Sequence, residues 1–527
     1  MGRPNFKPYH QHQAFLIPPS LDELIDDNHP VRVVSAVIDS IDLDNLLKKY
    51  KDRGTTSYHP RMLLKVLVYG YLNNIYSSRK LEAALKENIH FMWISGMNTP
   101  DHHTINRFRS ERLKHMLEQI FSQIVLQLAD KGFVSLKEIY TDGTKIESVA
   151  NRYSFVWGRA IQTSKERMKK QLRELWRYTQ KVAKQERKDD NPPPDFDNIT
   201  AEFVKETVEK IDAALKEQEQ SGEQVPKEVK QKLAYAKKQW PEKLAEYAQK
   251  EKVLGTRNSY SRTDTGATFM RMKEDHMKNG QLKPGYNVQI STNNQFIVNY
   301  SIHQNPTDTK TLIPHNEQHK KLYGAAPEVQ VADAGYGSEQ NYEYLHQQGT
   351  EAYIKHACFD KEQRKNHKPQ YPFSPEYLHY NEKKDQFICP MGQPMDCVGQ
   401  RKELSDGFTK TYKYYQAINC NGCPMRGACH KQKGNRKIEI SHLGKRLKRE
   451  AGQRLKTETG IYHRKKRCWD TEPVFANIKE NKNFKRFRLK GVDKVAIEWG
   501  LLSIAHNLSK IKSLPMIKNQ PKPNKAA

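Results

Sequence analysis

Two acidic residues stand where stretches of alternating apolar and polar residues end. Asp142 follows the stretch KEIYT and precedes Gly143, and Asp333 follows the stretch EVQVA. Alternation with a period of two indicates β-strands. Carboxylates are the ligands that Mg²⁺ prefers, and two Mg²⁺ ions held by acids can activate a water or a 3′ hydroxyl to attack a phosphodiester. Because Asp and Gly are also common in turns, a plain turn is the alternative interpretation at both positions.

A third acid with suitable surroundings is Glu472, in the stretch CWDTEPVFANIKENKNFKRFRLKG. Proline is tolerated in the first turn of a helix, so Pro473 predicts a helix that begins at about Thr471. Lys479 would then lie two helical turns beyond Glu472 on the same face, and Arg486 two turns further. A carboxylate at the head of a basic stripe suits a metal site beside a phosphate backbone. The competing acids are Asp470, Glu480 and Glu498.

A separate group of residues has the spacing of zinc ligands. Cys420 and Cys423 form a Cys-x2-Cys pair, Cys429 lies six residues further on, and Cys389 is the expected fourth ligand. Four thiolates can converge tetrahedrally on one ion, so the pattern predicts a structural Zn²⁺ site. A group of free thiols is the other interpretation. The alternative ligands are His430 and Cys397.

The charge of the chain favours a polyanionic partner. It has 89 Lys and Arg residues against 61 Asp and Glu residues, which gives a formal net charge of +28. Residues 436–467 contain twelve Lys or Arg and three acids, and the stretch FKRFRLK places aromatic residues between bases. Basic stripes follow phosphates, so we expect a nucleic acid as the partner. The alternative is a basic surface that only faces solvent.

Membrane insertion and a disulfide scaffold are both disfavoured. No apolar run approaches the roughly 18 residues that a membrane span needs. The first twenty residues lack the apolar region of a signal peptide. Seven cysteines in 527 residues are too few for a disulfide framework. We therefore expect a cytoplasmic, nucleoid-associated protein without a membrane partner.

The elements that precede the first acid are predicted to be helical. Residues 20–132 have helical periodicity, with Ser20 and Glu23 spaced as a capping box, Pro60 at a helix start and Gly132 at a helix end. This front domain would either form a packed bundle or present a helix-turn-helix to DNA. The residues that would face DNA in the second case are Asn106, Arg107 and Arg109.

The elements around the acids predict a mixed α/β sheet. A strand carries Asp142, and the stretches GYNVQISTNN and QFIVNYSIHQ form a hairpin with its turn at Asn293 and Asn294. A helix over 309–322, the strand before Asp333, a further helix and the strand EAYIKHA follow. Alternating strands and helices form layered α/β cores, in which distant strand ends can meet at one edge.

Two insertions interrupt this predicted core. Residues 159–258 are rich in Lys, Glu, Gln and Ala, with breaks at NPPPDFDN and QSGEQVP, and are expected to form helical arms packed as an antiparallel hairpin. Their acids nearly balance their bases, so there are two interpretations of these helices: a solvated spacer or an arm that contacts DNA. Residues 370–460 form the second insertion, which carries the cysteine group.

Three stretches, YTDGTKIESVANRYSFVW, VADAGYGSEQN and EPVFANIKENKNFKRF, together resemble the DDE transposases of bacterial insertion sequences. The resemblance covers most of the chain and is to the branch with a Tyr-Arg-Glu-Lys signature. It implies an RNase H-like catalytic core in which Asp142, Asp333 and Glu472 form a triad that binds Mg²⁺ or Mn²⁺. It also implies double-stranded DNA as the partner, both the element ends and the target, and a homodimer assembled on that DNA.

The signature residues match in part. Glu472 and Lys479 fit the Glu-x6-Lys part, and Tyr462 takes the place of the tyrosine. Cys468 stands where the family has arginine, with Arg467 one position before it, and Ala476 stands where the family usually has glycine. The residues expected to contact DNA are Tyr462, Arg467, Lys479 and Arg486.

The expected function is binding of the ends of a mobile element, followed by metal-dependent strand cleavage and strand transfer. A nuclease without strand transfer and a non-catalytic DNA-binding derivative are the alternatives. The predicted organisation is a helical DNA-binding domain (1–133), three core segments (134–158, 259–369 and 461–512), the helical insertion (159–258), the Cys-rich insertion (370–460) and a basic tail (513–527).

Overall fold

The computed structural model describes residues 20–50, 57–183, 195–220, 224–272, 280–364 and 372–513. The described part of the front domain is helical, as predicted. A π-helical turn over Phe108–Arg112 joins the last two helices. The helices are α1 (Pro30–Asp39), α2 (Asp44–Leu47), α3 (Pro60–Leu72), α4 (Ser78–Glu87), α5 (Ile89–Ser95), α6 (His102–Arg107) and α7 (Leu117–Asp130).

The predicted helix boundaries in the front domain are confirmed at two of three places. Pro60 begins α3, and Gly132 follows α7 with a φ of 74°, the left-handed conformation that glycine favours. Ser20 and Glu23 exchange the two hydrogen bonds of a capping box, at 3.2 and 3.3 Å. They close a turn instead of a helix, since α1 begins ten residues later at Pro30.

The middle of the chain begins the sheet and then leaves it for three helices. The elements are β1 (Glu138–Glu147), β2 (Phe155–Trp157), α8 (Gly158–Ala183), α9 (Ala201–Gln220), α10 (Lys227–Leu254) and β3 (Ser259–Ser261). The three helices share their own apolar cluster, which includes Leu172, Ile211 and Trp240. The predicted two-helix hairpin is therefore a three-helix unit, and the predicted breaks lie partly outside the described residues, at 184–194 and 221–223.

The chain then returns to the sheet. The elements are β4 (Thr268–Arg271), β5 (Leu282–Asn293), β6 (Phe296–His303), α11 (Leu312–Tyr323), β7 (Val329–Ala332), α12 (Glu339–Gln347), β8 (Glu351–Ile354) and α13 (Phe359–Glu362). Short 3-10 turns precede α11 and α12, at Asp308–Lys310 and Ala334–Tyr336. The β5–β6 turn uses Asn294 and Gln295, both with positive φ, one residue later than predicted.

The six-stranded sheet has the order β4-β5-β1-β7-β8, and β6 also pairs with β5. Strand β1 pairs antiparallel with β5 and parallel with β7, and β7 pairs parallel with β8. The predicted α/β class with a mixed sheet is confirmed. Because β1 lies in the middle of the sheet, its residues are supported on both sides by neighbouring strands.

The cysteine-bearing segment forms a second, antiparallel sheet. Its order is β13-β12-β11-β10-β9, and β11 and β12 form a long hairpin that extends beyond the other strands. The elements are β9 (Tyr380–Asn381), β10 (Gln386–Ile388), β11 (Pro394–Ser405), β12 (Phe408–Ala417), α14 (Arg426–Cys429), β13 (Lys437–Ile440) and α15 (His442–Arg454).

Two long helices close the structure. Helix α16 (Glu458–Ala476) lies across one face of the six-stranded sheet and continues into a π-helical turn over Asn477–Asn481. Helix α17 (Val492–Ser513) packs between the front domain and β6. Its apolar residues, including Trp499 and Leu502, are fully buried in a cluster shared by the front domain and the sheet. The basic tail lies outside the described residues from 514 onward.

Candidate active site

Asp142 and Asp333 occupy matching positions on neighbouring parallel strands. Strands β1 and β7 pair up to Thr141 and Ala332. Asp142 is the next residue on β1, and Asp333 follows the last residue of β7. Neighbouring strands lie about 4.8 Å apart, so the two acids are side by side. Tyr140 and Val331, two positions before the acids, share one apolar cluster. Because side chains alternate along a strand, both acids are expected on that same face of the sheet.

A buried tyrosine lies close to both acids. Tyr336 is fully buried, and its hydroxyl donates a hydrogen bond to the side-chain oxygen of Gln289. Burial raises the pKa of Tyr336 well above its ordinary value, and the carboxylates of Asp308, Asp142 and Asp333 raise that pKa further. Gln289 links this hydroxyl to one of the three acids, because its side-chain amide donates to Oδ1 of Asp308 at 3.0 Å.

Asp308 is an acid of this site that the sequence analysis missed. It begins the 3-10 turn before α11, and its Oδ1 accepts hydrogen bonds from the side-chain amides of Asn287 (2.8 Å) and Gln289 (3.0 Å) on β5. Thr309 donates a hydrogen bond to the carbonyl of Gly335, which ties this turn to the one after Asp333. In the sequence, an acid at the start of a helix indicates only a helix cap.

The glycines that follow the two strand-end acids make room for this arrangement. A Cβ on Gly143 would lie 2.3 Å from Nε2 of Gln289 and 3.0 Å from Oδ1 of Asp308. A Cβ on Gly335 would lie 3.0 Å from Oδ1 of Asp333 and 3.5 Å from Oδ2 of Asp308. The polar side chains therefore pack directly on glycine backbone, and a side chain at Gly143 would displace the amide that holds Asp308.

A positive charge from α16 lies beside Asp142. Nη1 of Arg467 is 3.4 Å from Oδ2 of Asp142, and the side chains of both residues are largely buried, at 14% and 12% exposure. Asp142 also accepts a hydrogen bond from the backbone N–H of Gly143 at 2.7 Å. Arg467 was predicted to contact DNA, and here its guanidinium neutralises the acid of β1.

Glu472 lies on the same helix as Arg467 and is exposed. The two residues are five positions apart, which turns their side chains by about 140° around a regular helix. In the described part of the chain, no three His, Cys, Asp or Glu side chains are grouped so that they could hold a metal ion. The structure thus brings two of the three predicted acids together, and the triad is not assembled.

The predicted start of the helix at Thr471 is wrong, because Pro473 lies inside α16 near its end. Proline has no N–H, so the carbonyl four residues earlier, that of Trp469, loses its helical partner. Nε2 of Gln295 donates to that carbonyl at 2.9 Å. A side chain from the β5–β6 turn therefore replaces the missing hydrogen bond, and the helix continues through the proline.

Two of the three acids that compete with Glu472 for the third position have structural roles. Asp470 accepts the backbone N–H groups of Asn294 and Gln295, both at 3.0 Å, which fixes α16 on the β5–β6 turn. Glu498 is fully buried and accepts backbone N–H groups at 2.9 and 3.0 Å, and burial raises its pKa. The remaining competitor, Glu480, is exposed and forms an ion pair with Lys485 at 2.9 Å.

The other predicted DNA contacts have different surroundings. Tyr462 is 53% exposed. Arg486 donates to the backbone carbonyls of Ser148 (2.9 Å) and Ala150 (3.2 Å), so its guanidinium holds the chain that follows β1. Lys479 is half-buried in the π-helical turn, and the straight-helix spacing that placed it two turns from Glu472 does not apply there.

The front domain does not offer all three of its predicted DNA contacts. Arg109 is 3% exposed and donates to the carbonyl of Tyr76 at 2.7 Å and to Asn106 at 3.1 Å. A side chain held in this way cannot reach DNA, so for Arg109 the packed-bundle interpretation holds. Asn106 and Arg107 are exposed.

The four predicted zinc ligands line one small cavity. Cys389, Cys420, Cys423 and Cys429 meet there, at the end of the five-stranded sheet, but no three of them are grouped closely enough to hold a metal ion as they stand. The alternative ligand Cys397 is exposed on β11, away from this cavity. Among the helices that the structure describes, none is long and apolar enough to cross a membrane.

Comparisons with known proteins match two parts of the chain. The family model described as Transposase DDE domain matches residues 388–512, and the one described as Transposase domain (DUF772) matches residues 19–111. The first range contains Glu472 and the four cysteines, whereas Asp142 and Asp333 lie between the two ranges. No curated protein and no solved structure matches the chain significantly.

Proposed function

We propose that this chain, a DDE-type insertion-sequence transposase, binds the ends of a mobile DNA element and catalyses metal-dependent strand cleavage and strand transfer. The observation that carries the proposal is the side-by-side position of Asp142 and Asp333 on β1 and β7. Two carboxylates at one edge of a sheet are the oxygen ligands that phosphodiester chemistry with Mg²⁺ requires.

The strand arrangement supports an RNase H-like core for this enzyme. The central strand β1 has an antiparallel hairpin, β5 and β6, on one side and the parallel strands β7 and β8 on the other. The helix that carries the third proposed acid, α16, packs on the face toward which the acids are expected to point. This is the arrangement that the resemblance to DDE transposases implies.

Asp142 and Asp333 are the proposed ligands of the catalytic Mg²⁺ or Mn²⁺, and Glu472 is the proposed third acid. When bound, the metal would activate the attacking water or 3′ hydroxyl and stabilise the leaving oxygen. The two strand-end acids supply carboxylate oxygens of the kind that Mg²⁺ prefers, and Asp142 already lies 3.4 Å from a cation, the guanidinium of Arg467. Arg467, which now pairs with Asp142, is the proposed contact to a DNA phosphate when Asp142 serves as a ligand.

Glu472 would reach the acids through an adjustment of α16. Pro473 removes one helical hydrogen bond next to Glu472, and the π-helical turn begins at Asn477, so this end of the helix is irregular. Irregular turns of this kind are frequent at functional sites. Asp308 is the proposed supporting acid, since the amides of Asn287 and Gln289 fix its orientation beside Asp333.

DNA is the proposed partner because the net charge is +28 and the basic residues concentrate next to the acids in α15 and α16. The exposed Tyr462, together with Arg467 and Lys479, would contact the strand near the site. Phosphate contacts of this type position the DNA and carry little sequence information. A homodimer assembled on two element ends is proposed, as in the family that the chain resembles.

The test uses DNA that carries the inverted repeats flanking the gene. Intact and pre-cut ends are incubated with the protein, Mg²⁺ and a target plasmid, and nicks and joined products are resolved by gel. A transposase cuts the intact end and joins the pre-cut end to the plasmid. Cutting without joining would indicate the nuclease alternative, and binding without cutting in Mg²⁺ or Mn²⁺ would indicate the non-catalytic alternative. Either result would contradict the proposal.

A further inference from the structure

The four cysteines are among the residues that line one small cavity. The cavity has a volume of about 20 Å³, which is close to the space that a single water needs. All four cysteines are free thiols in the structure, and Cys420 is buried. An ion would have to draw these side chains together, because no three of them are grouped closely enough to hold one in the structure.

The turns that carry these cysteines point backbone N–H groups at sulfur. The N–H of Gln393 donates to Sγ of Cys389 at 3.3 Å, in a turn closed by Gly392 with a φ of 80°. The N–H of Arg436 donates to Sγ of Cys420 at 3.4 Å. Such hydrogen bonds fix the direction of each sulfur and favour a sulfur that carries negative charge.

Arg436 supplies a buried positive charge at the same place. The residue is 5% exposed, its Nη1 lies 2.9 Å from Sγ of Cys429, and its Nη2 donates to the carbonyl of Phe373. None of the ion pairs found among the described residues joins Arg436 to a carboxylate. A buried guanidinium is costly without a negative partner, and thiolates are the groups within reach that could supply one.

His430, the other alternative ligand, is not available to a metal. Its Nδ1 accepts the backbone N–H of Gln432 at 3.3 Å, so the proton of the neutral ring is on Nε2. Nε2 is buried and has no hydrogen-bond partner in the structure, and His430 lines the cavity. A protonated Nε2 cannot bind a cation, but it suits a neighbour with negative charge.

We propose that Cys389, Cys420, Cys423 and Cys429 bind one Zn²⁺ as a closed four-thiolate site, and that Arg436 compensates its charge. Four thiolates and one Zn²⁺ carry a net charge of −2, of which the buried guanidinium offsets one unit, and the N–H groups around the sulfurs favour the remaining negative charge. With all four positions taken by sulfur, this ion is structural. It would join the ends of β10 and β12 to α14 and so fix the base of the β11–β12 hairpin.

The experiment measures metal in the full-length protein, purified under reducing conditions. One Zn²⁺ per chain is expected, and replacement by Co²⁺ should give the absorption bands of a tetrahedral cobalt–thiolate site. Cys420→Ser should lose the metal, whereas Cys397→Ser, which changes an exposed cysteine outside the cavity, should keep it. Protein that holds no zinc after incubation with Zn²⁺ would overturn the proposal, as would metal loss in Cys397→Ser equal to that in Cys420→Ser.

A second measurement does not depend on cysteine variants that fail to fold. Arg436→Gln removes the donor to sulfur, and Arg426→Gln is the matched control, since Arg426 also lines the cavity but donates to oxygen atoms. Transfer of Zn²⁺ to a coloured chelator should be about tenfold faster for Arg436→Gln than for the control, the size typical of lost supporting contacts. Equal rates would show that Arg436 has no role at the metal.

Discussion

The acid edge of the six-stranded sheet and the cysteine cavity of the five-stranded sheet are two predicted metal sites built in opposite ways. The four cysteines come from one local segment, line one small cavity and have a buried arginine beside them. The acids come from distant parts of the chain, and one of them is paired with Arg467. On the two proposals, the cysteine cavity would hold a permanent structural ion and the acid edge an exchangeable catalytic one.

This difference follows from what each site has to do. A structural ion is held best when every ligand is protein, because no position is left for water or substrate. A catalytic ion needs open positions and a way to exchange ligands with the substrate. Arg467 beside Asp142 would stabilise the acid edge of the free protein in the absence of the proposed metal and DNA.

The largest expected effect is at the acids. Asp142→Asn and Asp333→Asn should each reduce strand cleavage to the background of the assay, because each removes a proposed metal ligand and keeps the shape of the side chain. Binding of element ends should remain, since the basic surface is unchanged. Gel assays of cleavage and binding on the same DNA check both parts. Cleavage by either variant at the wild-type rate would remove that residue from the site.

The same assays decide the third acid. Glu472→Gln should also abolish cleavage, and Glu480→Gln is the matched control on the adjoining turn, with an exposed acid paired to Lys485. Normal cleavage by Glu472→Gln together with loss in Glu480→Gln would move the third acid to Glu480.

Zinc removal should have the next largest effect. We expect it to lower the stability of the protein and not to act directly on strand cleavage. Stripping the four-thiolate site should lower the temperature of the first unfolding transition, because a closed zinc site contributes directly to folding. Adding Mg²⁺ should not restore that transition, whereas adding Zn²⁺ should. Scanning calorimetry of the stripped and reloaded protein measures this. Recovery with Mg²⁺ would contradict the division into two kinds of site.

A smaller effect is expected at Asp308. Asp308→Asn puts an amide where Asn287 and Gln289 now donate, so the side chain should turn and support Asp333 less well. Cleavage should fall by roughly 10- to 100-fold, the usual range for a residue that orients metal ligands. Raising the Mn²⁺ concentration should recover part of the rate, which a purely structural defect would not permit. A rate unchanged from wild type would exclude this role.

The smallest effect is expected at Lys479. Lys479→Ala should weaken binding of element ends and lower the slope of log affinity against log salt by about one phosphate contact, with cleavage slowed but present. Arg486→Ala is the contrasting variant, because Arg486 holds the carbonyls of Ser148 and Ala150 and its loss should lower stability. A salt titration of binding separates the two. Equal affinity and equal slope for Lys479→Ala would leave it without a DNA contact.

The sequence predicted the local parts of this molecule better than the long-range parts. Strand alternation placed Asp142 and Asp333 on strands, and the spacing of the cysteines predicted their meeting. The path of α16 was not predictable, because the missing hydrogen bond at Pro473 is replaced by Gln295, which is 178 positions away in the chain. Nothing in the sequence around Asp308 indicated a place at the acid edge, since only the fold brings its turn beside β1 and β7.

The burial of two arginines could not be predicted from the sequence either. Arg109 and Arg436 occur in basic stretches that suggest a solvated or DNA-facing surface, yet they are 3% and 5% exposed. Each is buried because its donors have fixed partners, the carbonyl of Tyr76 in one case and the sulfur of Cys429 in the other. Charge counts along a sequence cannot separate such residues from the ones that contact a phosphate.

The most direct test of the central claim locates the catalytic metal. Fe²⁺ substituted for Mg²⁺ generates hydroxyl radicals that cut the backbone next to the ion, and the fragments are mapped by mass spectrometry. We expect cuts around Asp142 and Asp333 that excess Mg²⁺ suppresses and that Asp142→Asn abolishes. Cuts that map elsewhere, or that persist unchanged in Asp142→Asn, would contradict the assignment of these two acids as the metal site.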